Sequence, residues 1–249
     1  MTLAVLCLLV QGSSAQIIMR PHPRRGSGGF LIADFSAAAG TMTWKVTGTS
    51  SKQVKFTWGD GADTTLTMTG SEQTLTHNYT KASFNLRISG DTVTKWQCNN
   101  AQLKGDVADL PTGAATYSFY NTSISGDVAD LPTGAVNYYF SNTSISGDLN
   151  VFATLGTEID LIYLYGCINI TGYTSATLQN ISADNAANIR VYNLGLTSTE
   201  VDNFIIDLAA AQTGDGYLSI GGTNAARTSA SNAAVAALLA LGWDVLVNE

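Results

Sequence analysis

The chain has 249 residues, of which 45% are hydrophobic and only 12% charged, against roughly a quarter charged in an ordinary soluble protein. Its 12 Lys+Arg against 19 Asp+Glu, a formal net charge of −7, argue against a nucleic-acid binder, which needs clustered bases for the phosphates. Two histidines and three cysteines leave little for metal or nucleophilic chemistry, and the absence of an apolar run long enough to span a bilayer excludes a multispan membrane protein.

Residues 1–29 are read as an apolar segment followed by a basic linker. Leu3, Val5, Leu6, Leu8, Leu9 and Val10 form a short apolar run before Ser13-Ser14-Ala15. The pattern fits a secretory signal peptide, although no Lys or Arg precedes it. It fits equally an assembly anchor that hides against another subunit or a membrane, because an exposed apolar strand invites aggregation. Arg20, Arg24 and Arg25 then lie in a Pro/Gly stretch with no core-forming power.

Residues 30–90 alternate with period two. Met42, Trp44 and Val46 share one face, as do Val54, Phe56 and Trp58, and short strands at this spacing predict a small β-sandwich. The Trp58-Gly59-Asp60-Gly61 turn, the His77-Asn78-Tyr79 strand and Lys81–Ile88 together resemble the polycystic-kidney-disease (PKD) family of immunoglobulin-like domains. Ser83 stands where that family usually has Gly. The resemblance implies a non-catalytic extracellular or virion module. Asp60 and Asp63 are candidate calcium ligands; the plainer reading has them accepting backbone N–H groups in a turn.

Residues 91–197 hold an internal repeat. LKGDVADLPTGAATYSFYNTS (103–123) and ISGDVADLPTGAVNYYFSNTS (124–144) are identical at 15 of 21 positions, and a third unit opens at Ile145. One such unit cannot bury its own apolar face, but a stack can. The inward template runs through Tyr117, Phe119, Thr122 and Ile124, again through Tyr138, Phe140, Thr143 and Ile145, and upstream through Trp96, Cys98 and Leu103. Looser copies are placed at Tyr163, Tyr165, Ile168 and Ile170, and at Ile189, Val191, Leu194 and Leu196. The motif I-S-G-D-V-x-x-L-P is similar to the leucine-rich repeat, with aromatic residues in place of Leu on the strand. Asp106, Asp127 and Asp148 recur in one column, either as candidate calcium ligands or as turn caps. Ser118, Tyr120, Tyr139 and Ser141 are candidate binding-surface residues, because exposed Tyr with Ser suits adaptable contact with protein or glycan.

Residues 198–249 change character. Ser198–Asp202 looks like a helix start, with Val201, Phe204, Ile205 and Leu208 as its apolar stripe, and a second, Ala-rich helix ends at Gly242. The segment from Leu194 to Val247 resembles the C-terminal ends of leucine-rich-repeat-like proteins of Bacteroidetes-type bacteria and their phages. That order of modules implies a surface or virion protein.

The sequence therefore predicts a mainly β chain with a small α/β end: a β-sandwich module, then a leucine-rich-repeat-like β-solenoid, then a helix-containing C-terminal cap. The expected function is non-enzymatic structural or recognition work on an outer surface. A phage head decoration, fibre or tail appendage is the first version, an exported bacterial adhesin-like protein the second, and a solenoid glycan hydrolase a remote third. No catalytic residue, cofactor or nucleic-acid partner is expected. The partners expected are other copies of the chain, other virion or surface proteins, and a host-surface protein or glycan.

Overall fold

A computed structural model describes residues 30–33, 39–80, 83–90, 92–155, 158–182 and 187–249. The anchor candidates Leu3, Val5, Leu6, Leu8, Leu9 and Val10 lie outside the described residues. Among the described residues, no helix is long and apolar enough to cross a membrane.

The first part of the chain supplies β1 (Phe30–Ala33), β2 (Gly40–Gly48), β3 (Gln53–Thr57), β4 (Asp63–Thr67), β5 (Gln73–Tyr79), β6 (Phe84–Gly90) and β7 (Val93–Gln97). The repeats supply β8 (Leu103–Asp106), β9 (Thr116–Ser118), β10 (Ser123–Asp127), β11 (Asn137–Tyr139), β12 (Ser144–Asp148), β13 (Leu161–Tyr163), β14 (Asn169–Gly172) and β15 (Ala187–Arg190). Then come α1 (Ser198–Ala211), β16 (Gly216–Ser219), α2 (Asn232–Ala240) and β17 (Asp244–Leu246).

The expected β-sandwich followed by a separate solenoid is corrected. The chain is mainly β, at 39% strand and 18% helix, but its strands form mixed and parallel sheets and none forms a solenoid. One sheet has the order β14-β12-β10-β8-β1-β6-β3-β4 and the other β17-β16-β15-β13-β11-β9-β7-β2-β5. The reason is long-range pairing. β1 pairs antiparallel with both β6 and β8. β7 pairs antiparallel with β2 and parallel with β9. Both sheets thus run from the antiparallel first part into the parallel repeats.

The core is continuous in the same way. Buried apolar side chains form one cluster from Leu31 to Trp243. At the junction Trp44 of β2 lies edge-on to Phe56 (5.7 Å), Trp96 (6.3 Å) and Phe119 (5.9 Å). Trp44 therefore touches rings from both parts of the chain, and such edge-to-face pairs add to plain area burial.

Each repeat places one strand in each sheet and pairs several of its own polar groups. Tyr117 and Tyr138 point inward with nearly parallel rings (6.4 Å, 17°) and donate their hydroxyls to the carbonyls of Pro111 and Pro132. Thr122 and Thr143 are buried and donate to the carbonyls of Phe119 and Phe140. Asn121 and Asn142 turn the chain in the left-handed region (φ 57° and 54°), which asparagine tolerates better than most residues. The Asn142 amide donates to the Asn121 side-chain oxygen at 2.9 Å. Cys98 and Cys167 are buried and free.

α1 begins with a full capping box. The Thr197 side chain accepts from Glu200 N–H while the Glu200 carboxylate accepts from Thr197 N–H. Asp202 is buried and accepts from the Thr228 and Ser231 hydroxyls and from Thr228 N–H, which ties α1 to the segment before α2.

Candidate functional site

The register of the second sheet decides which side chains leave the core. Tyr138 pairs with Tyr117 at a separation of 21 residues, but Ile162 pairs with Tyr138 at 24 and Ile189 with Ile162 at 27. The longer third unit moves the template by one residue, and in a strand a one-residue shift exchanges the faces. Ile162, Leu164 and Cys167 are buried, while Tyr163 and Tyr165 face outward and Ile168 is 79% exposed. The expectation that Tyr163, Tyr165 and Ile168 line the core is thereby corrected.

The outward row runs Lys45, Gln97, Ser118, Tyr139, Tyr163, Arg190, Ser219 and Leu246 across successive strands. A second row follows each strand. Asn121 N–H donates to the Ser141 carbonyl, Asn142 N–H to that of Tyr165, and Gly166 N–H to that of Tyr192. The rows carry a cluster of aromatic rings. Tyr139 meets Tyr163 edge-on at 5.1 Å, Tyr163 and Tyr165 lie tilted at 6.4 Å, and Tyr165 stacks on Tyr192 at 4.7 Å with 3° between planes. Arg190 places its guanidinium carbon 4.5 Å from the Tyr163 ring centre and 5.1 Å from that of Tyr217. Its Nε donates to the Asn188 side-chain oxygen at 3.2 Å.

The four sequence-predicted surface residues fall on this face, at two depths. Tyr120 is exposed and Tyr139 half-buried. Ser118 and Ser141 occupy outward positions yet are buried, and the Ser141 hydroxyl has no hydrogen-bond partner. The expectation that Ser118 and Ser141 offer their hydroxyls at a binding surface is thereby corrected. Partial burial pushes the Tyr139 and Tyr163 phenols up, with Arg190 pulling the second way at Tyr163, and burial also pushes Tyr192 up. All three hydroxyls stay protonated at neutral pH and can both donate and accept. Beside Tyr192 a cavity of about 330 Å³ opens toward the sheet edge, lined by Ser219, Gly221, Val245 and Asn248 among others. Sequence reasoning missed Tyr163, Tyr165, Arg190, Tyr192 and Tyr217. The signal for the first two was present in the alternative apolar set Ile162, Leu164 and Cys167.

The candidate calcium ligands are engaged elsewhere. Asp106, Asp127 and Asp148 each accept from the backbone N–H two residues on, at 2.9, 2.8 and 2.8 Å, and so cap the short 3-10 turns that follow. Asp63 pairs with Lys55. Asp60 accepts from Ala62 N–H and meets His77 Nε2 at 2.7 Å, with the His77 ring stacked on Trp58 at 4.3 Å. Gly59 (φ 86°) leaves no space for a Cβ beside the Asn85 backbone. Among the described residues, no group of three His, Cys, Asp or Glu side chains could hold a metal ion. Comparison with known protein families, curated proteins and solved structures finds no match.

Proposed function

We propose that this chain is a non-enzymatic recognition protein of an outer surface and that it binds a glycan through the aromatic face of its second sheet. The observation that carries this reading is the connected group of outward rings formed by Tyr139 and Tyr163 on adjacent parallel strands and Tyr165 and Tyr192 just beyond β13 and β15. Such rings offer flat apolar area at little conformational cost, and their hydroxyls satisfy a polar ligand. The C–H faces of a sugar ring suit the first property and its hydroxyls the second. Rigid strands hold the rings in place, so little ordering is required on binding.

The setting that goes with this reading is a virion surface, as a head decoration, fibre or tail appendage, with other copies of the chain or other virion proteins as neighbours. An exported bacterial adhesin-like protein is the alternative. Both rest on the resemblance of the repeat and C-terminal motifs.

The test is a glycan array probed with the parent chain, Tyr163→Ala and Tyr165→Ala. We expect glycan binding by the parent and a loss of about tenfold or more in each variant, the cost of truncating one aromatic anchor. Melting should move little, since both side chains are outside the core. Absence of any bound glycan, or parental binding by both variants, rejects the reading.

A further inference from the structure

We infer that the glycan is carboxylated, and that its carboxylate seats on Arg190 between the rings of Tyr163 and Tyr217; this rests on the aromatic-face reading above. The argument starts from charge. Residues 105–249 contain fourteen acids and only two bases, Arg190 and Arg227. Arg227 is neutralised within the fold. Its Nε and Nη2 donate to the Glu249 carboxylate and its Nη1 to Asn232. Among the described residues Arg190 is not: no carboxylate lies within ion-pair distance of it, and its hydrogen bonding stops at the Nε contact with Asn188. Both Nη groups are left to donate to a planar acceptor.

Held between two rings, that guanidinium has little freedom left to lose. A preorganised fork matches a carboxylate with two parallel hydrogen bonds, a geometry a lysine cannot reproduce. A sugar stacked on the Tyr163 and Tyr165 rings, which adjoin at 6.4 Å, would bring an acid group toward Arg190. The chain's net charge of −7 opposes anions at long range, but ions screen that field beyond about 8 Å at physiological salt. Asp244 stands beside Tyr217 in register, which directs the carboxylate to the Tyr163 side.

The experiment compares uronic- and sialic-acid glycans with neutral glycans on one array, then titrates the best acidic hit and its carboxyl-reduced form calorimetrically. We expect the bound glycans to carry a carboxylate and the reduced form to bind about tenfold or more weakly, as fits loss of a charge-assisted bidentate contact. Arg190→Gln should erase that preference, and Arg190→Lys should keep only part of it. The comparison of the two glycans uses the parent protein, so it stands even if a variant fails to fold. Neutral glycans bound as well as acidic ones, with Tyr163→Ala still weakening them, would overturn the carboxylate inference and leave the aromatic face intact. No glycan binding at all would overturn both.

Discussion

Trp96 is the residue whose removal tests the continuity of the fold most directly. It lies on β7, between β2 of the first part and β9 of the repeats, and its side chain is 1% exposed. Its ring meets Trp44 at 6.3 Å and Phe56 at 6.3 Å. Truncating a buried Trp to Ala costs about 3–5 kcal/mol. The Trp96 indole N–H, however, is buried with no acceptor, so its deletion recovers part of a desolvation cost of about 1–3 kcal/mol. The expected net loss for Trp96→Ala is about 2–4 kcal/mol. At roughly 2–4 °C per kcal/mol for a chain of this size, the melting temperature should fall by roughly 5–15 °C. Trp96→Phe keeps most of the ring, discards the unpaired N–H and should cost no more than about 1–2 kcal/mol. Differential scanning calorimetry with near-ultraviolet circular dichroism reads both. Because two sheets and one core cross the junction, a single transition should move as a whole. A variant that melts like the parent, or a transition that splits with one part left at the parental temperature, would refute the reasoning. Equal losses for Phe and Ala would refute the part assigned to the N–H.

Two further outcomes are expected. Asn142→Ala should destabilise by about 1–2 kcal/mol more than Asn142→Gly in urea unfolding, because both lose the amide contact with Asn121 but only alanine resists a φ of 54°; equal losses would mean that the left-handed corner costs nothing. Acid should weaken the fold through Asp60 and Asp202. Burial pushes both carboxyls up, but His77 and Ala62 N–H at Asp60, and Ser231 and Thr228 at Asp202, more than reverse it and hold both below the ordinary 3.8. A carboxylate lowered in the fold contributes stability that is complete above the ordinary value and lost as pH falls through the lower folded one. The melting temperature should therefore drop below pH 3.8, and an Asp60→Asn, Asp202→Asn double variant should show a shallower drop from a lower start.

Local pattern carried the elements of this fold well and their partners poorly. The alternation of Met42, Trp44 and Val46 and of Val54, Phe56 and Trp58 marks faces that are buried throughout. The repeated Tyr117/Tyr138 and Phe119/Phe140 pairs likewise mark the inner side of the second sheet. What alternation does not encode is which strand lies next to which. The pairing of β1 with β8 joins Ala33 to Leu103, and nothing local in either short segment signals it. The same limit applies to the site. The outward positions of Tyr120 and Tyr139 were legible because they sit inside the 21-residue repeat, whereas the burial of Ser118 and Ser141 on the same face was not. Tyr163 and Tyr165 were not, because the extra three residues before β13 exchange inside for outside while leaving a plausible apolar pattern on both faces.

The two near-identical units also bear on how such a chain can change over generations. Residues 103–123 and 124–144 share 15 of 21 positions, so one whole unit can be gained or lost as a module. A product that gains or loses one whole unit keeps the frame, the Asp turn caps, the Asn corner and the inward Tyr–Pro contact, all of which recur at the same spacing. It adds or removes one strand, about 4.8 Å of width, in each sheet. Length variation among close kin should therefore come in steps of one unit and concentrate here. The stretch carrying Tyr163, Arg190 and Tyr192, whose spacings of 24 and 27 residues match no neighbour, should stay constant in length. The span between the first part of the chain and the rings of Tyr163 and Tyr192 can then be reset while those residues keep their own spacing.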